Sequence, residues 1–310
     1  MTQREFNFMA PTLGDVPQYS DNLSISFSGG RTSAVMTKFI FEHLRDRYQN
    51  IIVTFANTGC EDPRTLDFIK QCDDHFDFET VWLEAEVGAE GVGIRHRIVD
   101  YETASRDGRP FEDYIRKYGI PNRELPQCTS RLKTEVMESY LKIHDWVRGA
   151  KLNYDTAIGI RSDEWDRLSI NAEKNRFVYP LAYMRVTMEM VKKECLSWPF
   201  DLQLPGDHWG NCQWCWKKSK RKLMTLVLED ESIFTFPKKM DEKYSQVKAA
   251  AGKTGVRRFF RGDITTNELI QEAKSTEFEP YSDKEIDFDD VLDVPDGSCS
   301  ESCEVYGDYE

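Results

Sequence analysis

The sequence predicts an α/β fold in which helices cover both faces of a Rossmann-like, mainly parallel sheet. Three short apolar segments have the character of strands, Leu23–Phe27, Ile51–Ala56 and Thr80–Leu83, and a helical pattern follows each of the first two. Strand–helix alternation is typical of parallel sheets, because parallel neighbours need a crossover connection. The continuous apolar run Ile51–Ala56 is expected for a central strand that is buried on both faces.

The remaining elements follow in chain order. A glycine turn, Ser28–Ser33, leads from the first strand into a helix that we expect to reach about Leu44. The second helix starts at Asp62–Pro63, since Asp suits the N-cap and Pro the first turn. Further segments are predicted as follows: a Gly-rich stretch 85–126 with a short helix at Phe111–Tyr118, a helix at Thr129–Ile143, a strand at Thr156–Ile160 and a helix at Thr187–Ser197.

Charge and composition divide the 310 residues into three parts. Residues 1–204 form the α/β domain, 205–275 a smaller, cysteine-containing helical region, and 276–310 an acidic tail. The whole chain has a formal net charge of −13, and thirteen acidic residues but one basic residue lie in the tail. The segment Lys217–Arg261, in contrast, contains thirteen basic and five acidic residues. A local basic stretch of this kind raises the question of a nucleic-acid partner.

The sequence predicts a cytoplasmic protein without a membrane partner. It contains no apolar run of about 18 residues, and its first twelve residues lack the basic-then-apolar layout of a signal peptide. The eight cysteines are therefore expected in a reducing compartment, where clustered cysteines indicate a metal, an iron–sulfur cluster or thiol chemistry.

The glycine turn has the composition of a phosphate-binding loop. Backbone N–H groups in a strand-to-helix turn can surround phosphate oxygens, and the helix N-terminus adds its positive dipole end. Gly29 and Gly30 permit unusual dihedrals, Ser28, Thr32 and Ser33 offer hydroxyl groups, and Arg31 offers a charge. The spacing matches neither a Walker A loop nor a dinucleotide-binding fingerprint.

Five segments in order resemble the phosphoadenosine phosphosulfate (PAPS) reductase family of the PP-loop, adenine-nucleotide α-hydrolase-like superfamily. Its phage and bacterial branch of unassigned role is the most similar. The segments are Ser28–Ser33, Asn57–Gly59 with Glu61, Cys128–Lys133, Gly159–Arg167 and Gly210–Ser219. They extend over about two-thirds of the chain, and the resemblance implies a PP-loop (HUP-type) fold.

The resemblance also implies a site for an adenine nucleotide, ATP or PAPS. The residues it assigns to nucleotide binding are Ser28, Gly29, Gly30, Arg31, Thr32, Ser33, Thr58, Gly59, Glu61, Gly159, Arg161, Asp163, Glu164 and Arg167. Cys128, Lys133 and Arg161 are the expected catalytic residues, because Arg suits bidentate phosphate contact and Lys supplies a point charge. Asp163, Glu164 and Arg167 have an alternative interpretation as an internal ion network.

The sequence departs from the family pattern at two places. Many loops of the superfamily have Asp where Thr32 stands, and that Asp helps to organise Mg²⁺; Glu61 or Asp163 would substitute for it here. The cysteine segment that sulfonucleotide reductases use as a nucleophile is absent from this sequence. The tail instead contains Cys299 and Cys303.

Three interpretations of the cysteines remain open. Cys212-x-x-Cys215 with Cys128 suits a [4Fe–4S] cluster, since related sulfurtransferases hold such a cluster with three or four cysteines. Cys212, Cys215, Cys299 and Cys303 would instead form a closed zinc site. In the third interpretation Cys128 is a nucleophile beside the nucleotide.

Three functions follow from these features. The first is ATP-dependent adenylation linked to sulfur transfer to a nucleic acid (tRNA or DNA) or a small molecule. The second is a PAPS or APS reductase that produces sulfite, and the third is a non-catalytic module that binds nucleotide or nucleic acid. Trp209, Trp214 and Trp216 beside the basic run Lys217–Lys222 suggest base stacking and phosphate contacts. We also expect a homodimer.

Overall fold

The computed structural model describes residues 12–248 and 255–283, and a six-stranded sheet forms the centre of the described chain. The strand order is β4-β3-β2-β1-β5-β6. The strands are β1 Asn22–Ser26, β2 Asn50–Asn57, β3 Thr80–Val87, β4 Ile94–Val99, β5 Asp155–Ala157 and β6 Phe177–Val178. All neighbouring pairs are parallel except β3 and β4, which are antiparallel.

The strand order reverses at β1. This strand pairs with β2 on one side, where Ile25 is opposite Val53, and with β5 on the other, where Ile25 is opposite Ala157. In open parallel sheets such a reversal leaves a crevice beyond the carboxyl ends of the two strands, and ligands bind there. The expected α/β fold with a mainly parallel sheet is confirmed.

Helices cover both faces of the sheet. On one face, Ile25, Phe55 and Trp82 share a hydrophobic cluster with α1, α2 and α7, and on the other, Leu83 and Ala85 share a cluster with α3, α4 and α8–α10. The helices are α1 Arg31–Phe39, α2 Pro63–His75, α3 Arg109–Tyr118, α4 Glu135–Lys142, α5 Ala172–Asn175, α6 Pro180–Tyr183, α7 Met188–Cys195, α8 Lys220–Glu229, α9 Thr235–Tyr244 and α10 Thr266–Ser275. Single π-helical turns, Ile40–Leu44 and Ser130–Thr134, follow α1 and precede α4.

The two strands that the sequence does not predict lie at the edges of the sheet. β4 falls inside the Gly-rich stretch 85–126 and contains Arg95, His96 and Arg97, so it lacks a clear apolar alternation. Charged side chains are common on edge strands, where they discourage pairing with another chain. β6 has two residues, too few to produce a periodic pattern.

Helices α8, α9 and α10 pack into the same cluster as α3 and α4. Leu223 of α8 and Phe234 before α9 thus share a core with Ile115 and Val136. The boundary at residue 204 stays a prediction. No helix within the described ranges is long and apolar enough to cross a bilayer.

The first residues of the acidic tail lie against α8. Arg221 donates to the carbonyl oxygens of Glu279 and Pro280, at 2.9 and 3.1 Å, and the N–H of Tyr281 donates to Oγ1 of Thr225 at 2.8 Å. Farther along, Asp283 accepts a hydrogen bond from the N–H of Asp207. The rest of the tail, including Cys299 and Cys303, lies outside the described residues.

Candidate functional site at the carboxyl edge of the sheet

The glycine turn connects β1 to α1 at the switch point of the sheet. Gly30 is the N-cap of α1, and Gly29 has a φ of +83°, which favours glycine. A Cβ at Gly29 would lie 2.6 Å from Cγ2 of Thr65 on α2, so the turn also needs glycine for close packing. Within the turn, Oγ of Ser33 accepts from N–H of Ser28 at 3.2 Å and donates to the carbonyl of Gly30 at 2.9 Å. The first-turn N–H groups of α1 have no acceptor within the helix, as at any helix start.

Arg31 is bound to Asp201 rather than placed over the turn. Its Nε and Nη2 donate to the two carboxylate oxygens of Asp201 at 2.7 and 2.8 Å, and Nη2 also donates to the carbonyl of Leu202 at 2.6 Å. This bidentate pair neutralises the guanidinium charge of Arg31, which was predicted to bind phosphate. Arg31 therefore connects α1 to the segment that follows α7.

Arg161 joins the loop after β5 to the start of α1. Its Nη1 donates to Oγ1 of Thr32 at 2.8 Å, and its guanidinium also pairs with Asp163 and Glu164 at 3.0 and 3.1 Å. Arg167 pairs with the other oxygen of Glu164. Asp163, Glu164 and Arg167 thus have the geometry of an internal ion network, which was the alternative interpretation of these residues. We call the residues Thr32, Arg161, Asp163, Glu164 and Arg167 the crevice network.

Two predicted nucleotide-binding glycines have packing contacts. A Cβ at Gly159 would lie 3.2 Å from Cα of Ser33, so glycine lets the loop after β5 approach α1 closely. Gly59 has a φ of +77° and accepts a hydrogen bond from the N–H of Gly108, the N-cap of α3, at 2.9 Å. Gly159 thus brings two predicted site segments together, whereas Gly59 joins the loop after β2 to the start of α3.

The loop after β2 places a carboxylate beside a buried lysine. Glu61 accepts hydrogen bonds from N–H of Thr58 at 2.9 Å and from N–H of Cys60 at 3.2 Å, and the Thr58 hydroxyl donates to it at 2.8 Å. Nζ of Lys133 is 3.8 Å from Oε1 of Glu61, and both side chains are almost fully buried. Thr58 and Glu61 of one predicted motif and Lys133 of another thus lie together.

Three predicted cysteines line one small cavity. Cys128, Cys212 and Cys215 border a space of about 20 Å³ together with Thr58, Lys133 and Lys217; we call it the cysteine cavity. Oγ1 of Thr58 is 3.6 Å from Sγ of Cys212, and residues 61 and 212 form an antiparallel backbone bridge. The motif segments of the sequence therefore converge on two places, the crevice network and the cysteine cavity.

Burial and a nearby carboxylate suppress ionisation of the Cys212 thiol. Burial raises the pKa of Cys212 far above its usual range, and the charges of Glu61 and Cys128 add to this effect. Lys133 and the hydrogen bond from Thr58 oppose it. Since the thiolate is the nucleophile and the metal ligand, Cys212 needs help from Lys133 or a bound cation to react.

The cysteines do not form an assembled metal site. Within residues 12–248 and 255–283, no three His, Cys, Asp or Glu side chains are gathered closely enough to hold a metal ion. The cavity has about the volume that a single water molecule needs. The present arrangement therefore does not fit a [4Fe–4S] cluster, which stays a prediction; the zinc alternative depends on Cys299 and Cys303, outside the described residues. Mg²⁺ at Glu61 or Asp163 also stays a prediction.

Sequence reasoning missed three residues around the cavity. The thiol of Cys60 is buried, and after burial itself the neighbouring Cys212 contributes most to its raised pKa. Nζ of Lys218 donates to the carbonyls of Cys212 and Gln213 at 3.0 and 2.6 Å, which fixes the two-cysteine turn. The Tyr114 hydroxyl is buried with no hydrogen-bond partner among the described residues, and Cys128 contributes to its raised pKa after burial. The position of Cys60 directly before Glu61 was an available signal.

The predicted stacking surface beside the cysteines is wrong. The rings of Trp209, Trp214 and Trp216 are buried in the cluster that includes α3 and α8, so they offer no face to bases. Lys217, Lys218 and Lys222 are also buried, at 6%, 1% and 6% exposure. Nζ of Lys217 lies 5.7 Å from the centre of the Trp216 ring, and Nζ of Lys222 lies 4.7 Å from that of Tyr281. The arginines at the end of the basic stretch, Arg257, Arg258 and Arg261, are half-buried.

Comparisons with known proteins show relatives of uncharacterised function. No protein-family model matches the chain, and no solved structure matches it significantly. An uncharacterized protein, MJ0973 of Methanocaldococcus jannaschii, is 29% identical over 120 residues, which cover 39% of this chain and 23% of that protein. The uncharacterized nin region protein ORF290 of Escherichia phage lambda is 31% identical over 291 residues, which cover 91% of this chain and 94% of the phage protein. The chain belongs to the family of this phage lambda nin region protein.

Proposed function

We propose that the protein binds an adenine nucleotide between β1 and β5 and uses ATP to adenylate an acceptor during sulfur transfer. One observation carries the proposal: Nη1 of Arg161 lies 2.8 Å from Oγ1 of Thr32, so motif residues from the loops after β1 and β5 meet at the switch point of the sheet. Ligands of open parallel sheets bind at such points.

The reaction we propose is attack by an acceptor oxygen on the α-phosphate of ATP. The bond from the α-phosphorus to its bridging oxygen breaks, and pyrophosphate leaves with the electron pair. The N–H groups at the start of α1 and the guanidinium of Arg161 stabilise the charge that develops on the α-phosphate. The acceptor hydroxyl gives its proton to solvent. A sulfide-level nucleophile from a separate sulfur donor then attacks the acceptor carbon, the bond from that carbon to oxygen breaks, and AMP leaves with the oxygen.

The cysteine cavity supports the sulfur-transfer half of the proposal. It brings the thiols of Cys128, Cys212 and Cys215 next to Lys133, whose charge favours the thiolate form of Cys212. A thiolate is the nucleophilic form of cysteine. Lys133 therefore has a chemical role at this place beyond its pairing with Glu61.

A matched pair of variants tests the nucleotide site. Thr32→Val removes the hydroxyl that accepts from Arg161, whereas Thr37→Val removes a hydroxyl of the same helix that donates to the carbonyl of Ser33. The bond to Thr32 holds Arg161 beside the first turn of α1, so we expect Thr32→Val to misplace the guanidinium and to weaken ATP binding by about tenfold, or about 1.4 kcal/mol. Thr37→Val should leave ATP binding unchanged, as measured by calorimetry.

The products distinguish the three functions. Release of pyrophosphate from ATP supports adenylation, release of sulfite from PAPS selects the reductase, and binding without either product selects the non-catalytic module. Cys128→Ala should abolish the sulfur-transfer step, or sulfite formation by a reductase, whereas release of pyrophosphate from ATP should persist because an acceptor oxygen attacks the α-phosphate. Anaerobic purification with metal and sulfide analysis, repeated on Cys212→Ala, decides whether a cluster binds. A folded protein that binds neither ATP, AMP nor PAPS would refute the proposal.

A further inference from the structure

A second basic site lies between two loops away from the crevice network. A cavity of about 230 Å³ separates residues 122–124 from residues 256–263, and we call it the arginine pocket. Its charged lining is Arg123, Arg257, Arg258, Arg261, Glu124 and Asp263. Four guanidinium groups outnumber two carboxylates here, so the pocket has a positive potential that attracts anions.

Hydrogen bonds to the backbone hold the two loops in place. Nδ2 of Asn122 donates to the carbonyl of Arg258 at 2.9 Å, and Oδ1 of Asn122 accepts from the N–H of Glu124 at 3.0 Å. Nε of Arg257 donates to the carbonyl of Lys248 at 2.6 Å, which uses one of five guanidinium donors. Arg123 is exposed and pairs with no acid among the described residues.

The size of the pocket indicates part of a larger ligand. Pockets that enclose a drug-sized molecule have about 300–1,000 Å³, more than this one. Guanidinium groups bind phosphate through two parallel hydrogen bonds, and several of them favour neighbouring phosphate groups. The site therefore suits phosphate groups whose remaining substituents extend out of the pocket.

The arginine pocket adjoins the cysteine cavity. Nη2 of Arg261 donates to the carbonyl of Lys217 at 3.0 Å, and Lys217 also lines the cavity. Tyr114 lies near both the cysteine cavity and the arginine pocket. Burial raises the pKa of its hydroxyl, Cys128 of the cavity raises it further, and Arg257 of the pocket lowers it. A ligand held by the arginines is thus a neighbour of the thiols.

We propose that the arginine pocket binds the phosphate groups of a polyanionic ligand. We identify this ligand as the acceptor of sulfur, which rests on the proposed function. The binding of phosphate groups in the arginine pocket does not depend on that function. A nucleic-acid backbone and a free polyphosphate offer the same chemistry, and the experiment separates them.

The test measures binding in the absence of ATP with the full chain. The probes are fluorescein-labelled single-stranded DNA and RNA of about 16 nucleotides, followed by anisotropy, and inorganic pyrophosphate, followed by thermal shift. Arg123→Glu alters the pocket at an exposed side chain. Lys193→Glu is the matched control, because it changes the net charge equally on exposed α7, which packs on the opposite face of the sheet.

We expect Arg123→Glu to weaken oligonucleotide binding about tenfold and to lower the slope of log affinity against log salt by about one. Lys193→Glu should have little effect on either quantity. Oligonucleotide binding that pyrophosphate does not displace identifies a nucleic-acid backbone, whereas Arg123-dependent binding of pyrophosphate alone identifies a free phosphate ligand. If no probe binds, or if both variants weaken binding equally, the inference is wrong. A protein inactive towards ATP can still pass this test, so the two proposals fail separately.

Discussion

The crevice network and the cysteine cavity both contain buried charges, but the two regions neutralise them differently. In the crevice network, Arg161 and Arg167 pair directly with Asp163 and Glu164. In the cysteine cavity, Glu61 receives hydrogen bonds from its own loop and lies 3.8 Å from Lys133. A ligand in the crevice must therefore compete with existing ion pairs, whereas an electrophile or a metal in the cavity needs the thiolate of Cys212, which burial disfavours.

The largest effect should come from breaking the crevice network. Arg161→Ala leaves Glu164 buried with one cationic partner fewer, and removal of one partner of a buried pair costs about 3–5 kcal/mol. Urea unfolding measures the change. Arg109→Ala is the control, because its pair with Asp107 is exposed and should contribute less than about 1 kcal/mol. Equal losses in the two variants would show that the network does not behave as buried.

A smaller loss is expected at the two-cysteine turn. Lys218→Met removes the ammonium that binds the carbonyls of Cys212 and Gln213. Hydrogen bonds to charged groups contribute about 1.5–3 kcal/mol each, so we expect the free energy of unfolding to fall by about 3 kcal/mol, the lower end of the sum of two. The thiols of the turn should also react faster with a thiol reagent, because the turn is less fixed.

Lys220→Met is the matched control for this variant. Lys220 pairs with Glu272 on the exposed surface, so Lys220→Met should change the free energy of unfolding by no more than about 0.5 kcal/mol. Unchanged thiol reactivity in Lys218→Met would contradict the role of Lys218 in fixing the turn.

Crowding at the glycine turn should be separable from backbone strain. Gly29→Ala places a Cβ 2.6 Å from Thr65 at a φ of +83°, whereas Gly91→Ala has a similar φ of +79° with open space around it. We expect a loss of about 1–2 kcal/mol for Gly91→Ala from strain alone. Gly29→Ala should lose more stability than Gly91→Ala, and thermal unfolding measures both variants. Similar losses would mean that α2 moves to accept the methyl group.

The smallest effect concerns the reactivity of a single thiol. Glu61→Gln removes a charge that raises the pKa of Cys212, so the thiolate fraction near neutral pH should rise and alkylation by iodoacetamide should be faster. Lys133→Met removes a charge that lowers the same pKa and should slow the reaction. Peptide-resolved mass spectrometry measures Cys212 alone. A change in the same direction for both variants would show that access, not charge, controls the rate.

The central elements were predictable because their patterns are strong. The predicted and observed ends differ by one or two residues at most for β1, β2 and α7, and α2 begins at Pro63 as predicted. The antiparallel strand β4 was not predictable, because its sequence of charged side chains has no apolar alternation. The mainly parallel order follows from strand–helix alternation, but the site of its reversal depends on long-range pairing of β1 with β5.

The motif residues were predictable, but their partners were not. The pairing of Arg31 with Asp201 joins residues 170 positions apart, and no local pattern indicates it. A run of lysines resembles a solvated surface, yet Lys218 is fully buried because two backbone carbonyls satisfy its ammonium. Sequence patterns identify chemical groups, whereas tertiary contacts decide which groups neutralise each other.

The contacts of residues 279–283 have a consequence for the acidic segment that follows them. Because Tyr281 is bonded to Thr225 and Asp283 to Asp207, the next residues start from a fixed point on the surface. A short connection within one chain gives an effective concentration on the order of millimolar. Any contact between that segment and the surface near Asp207 is therefore intramolecular and independent of dilution.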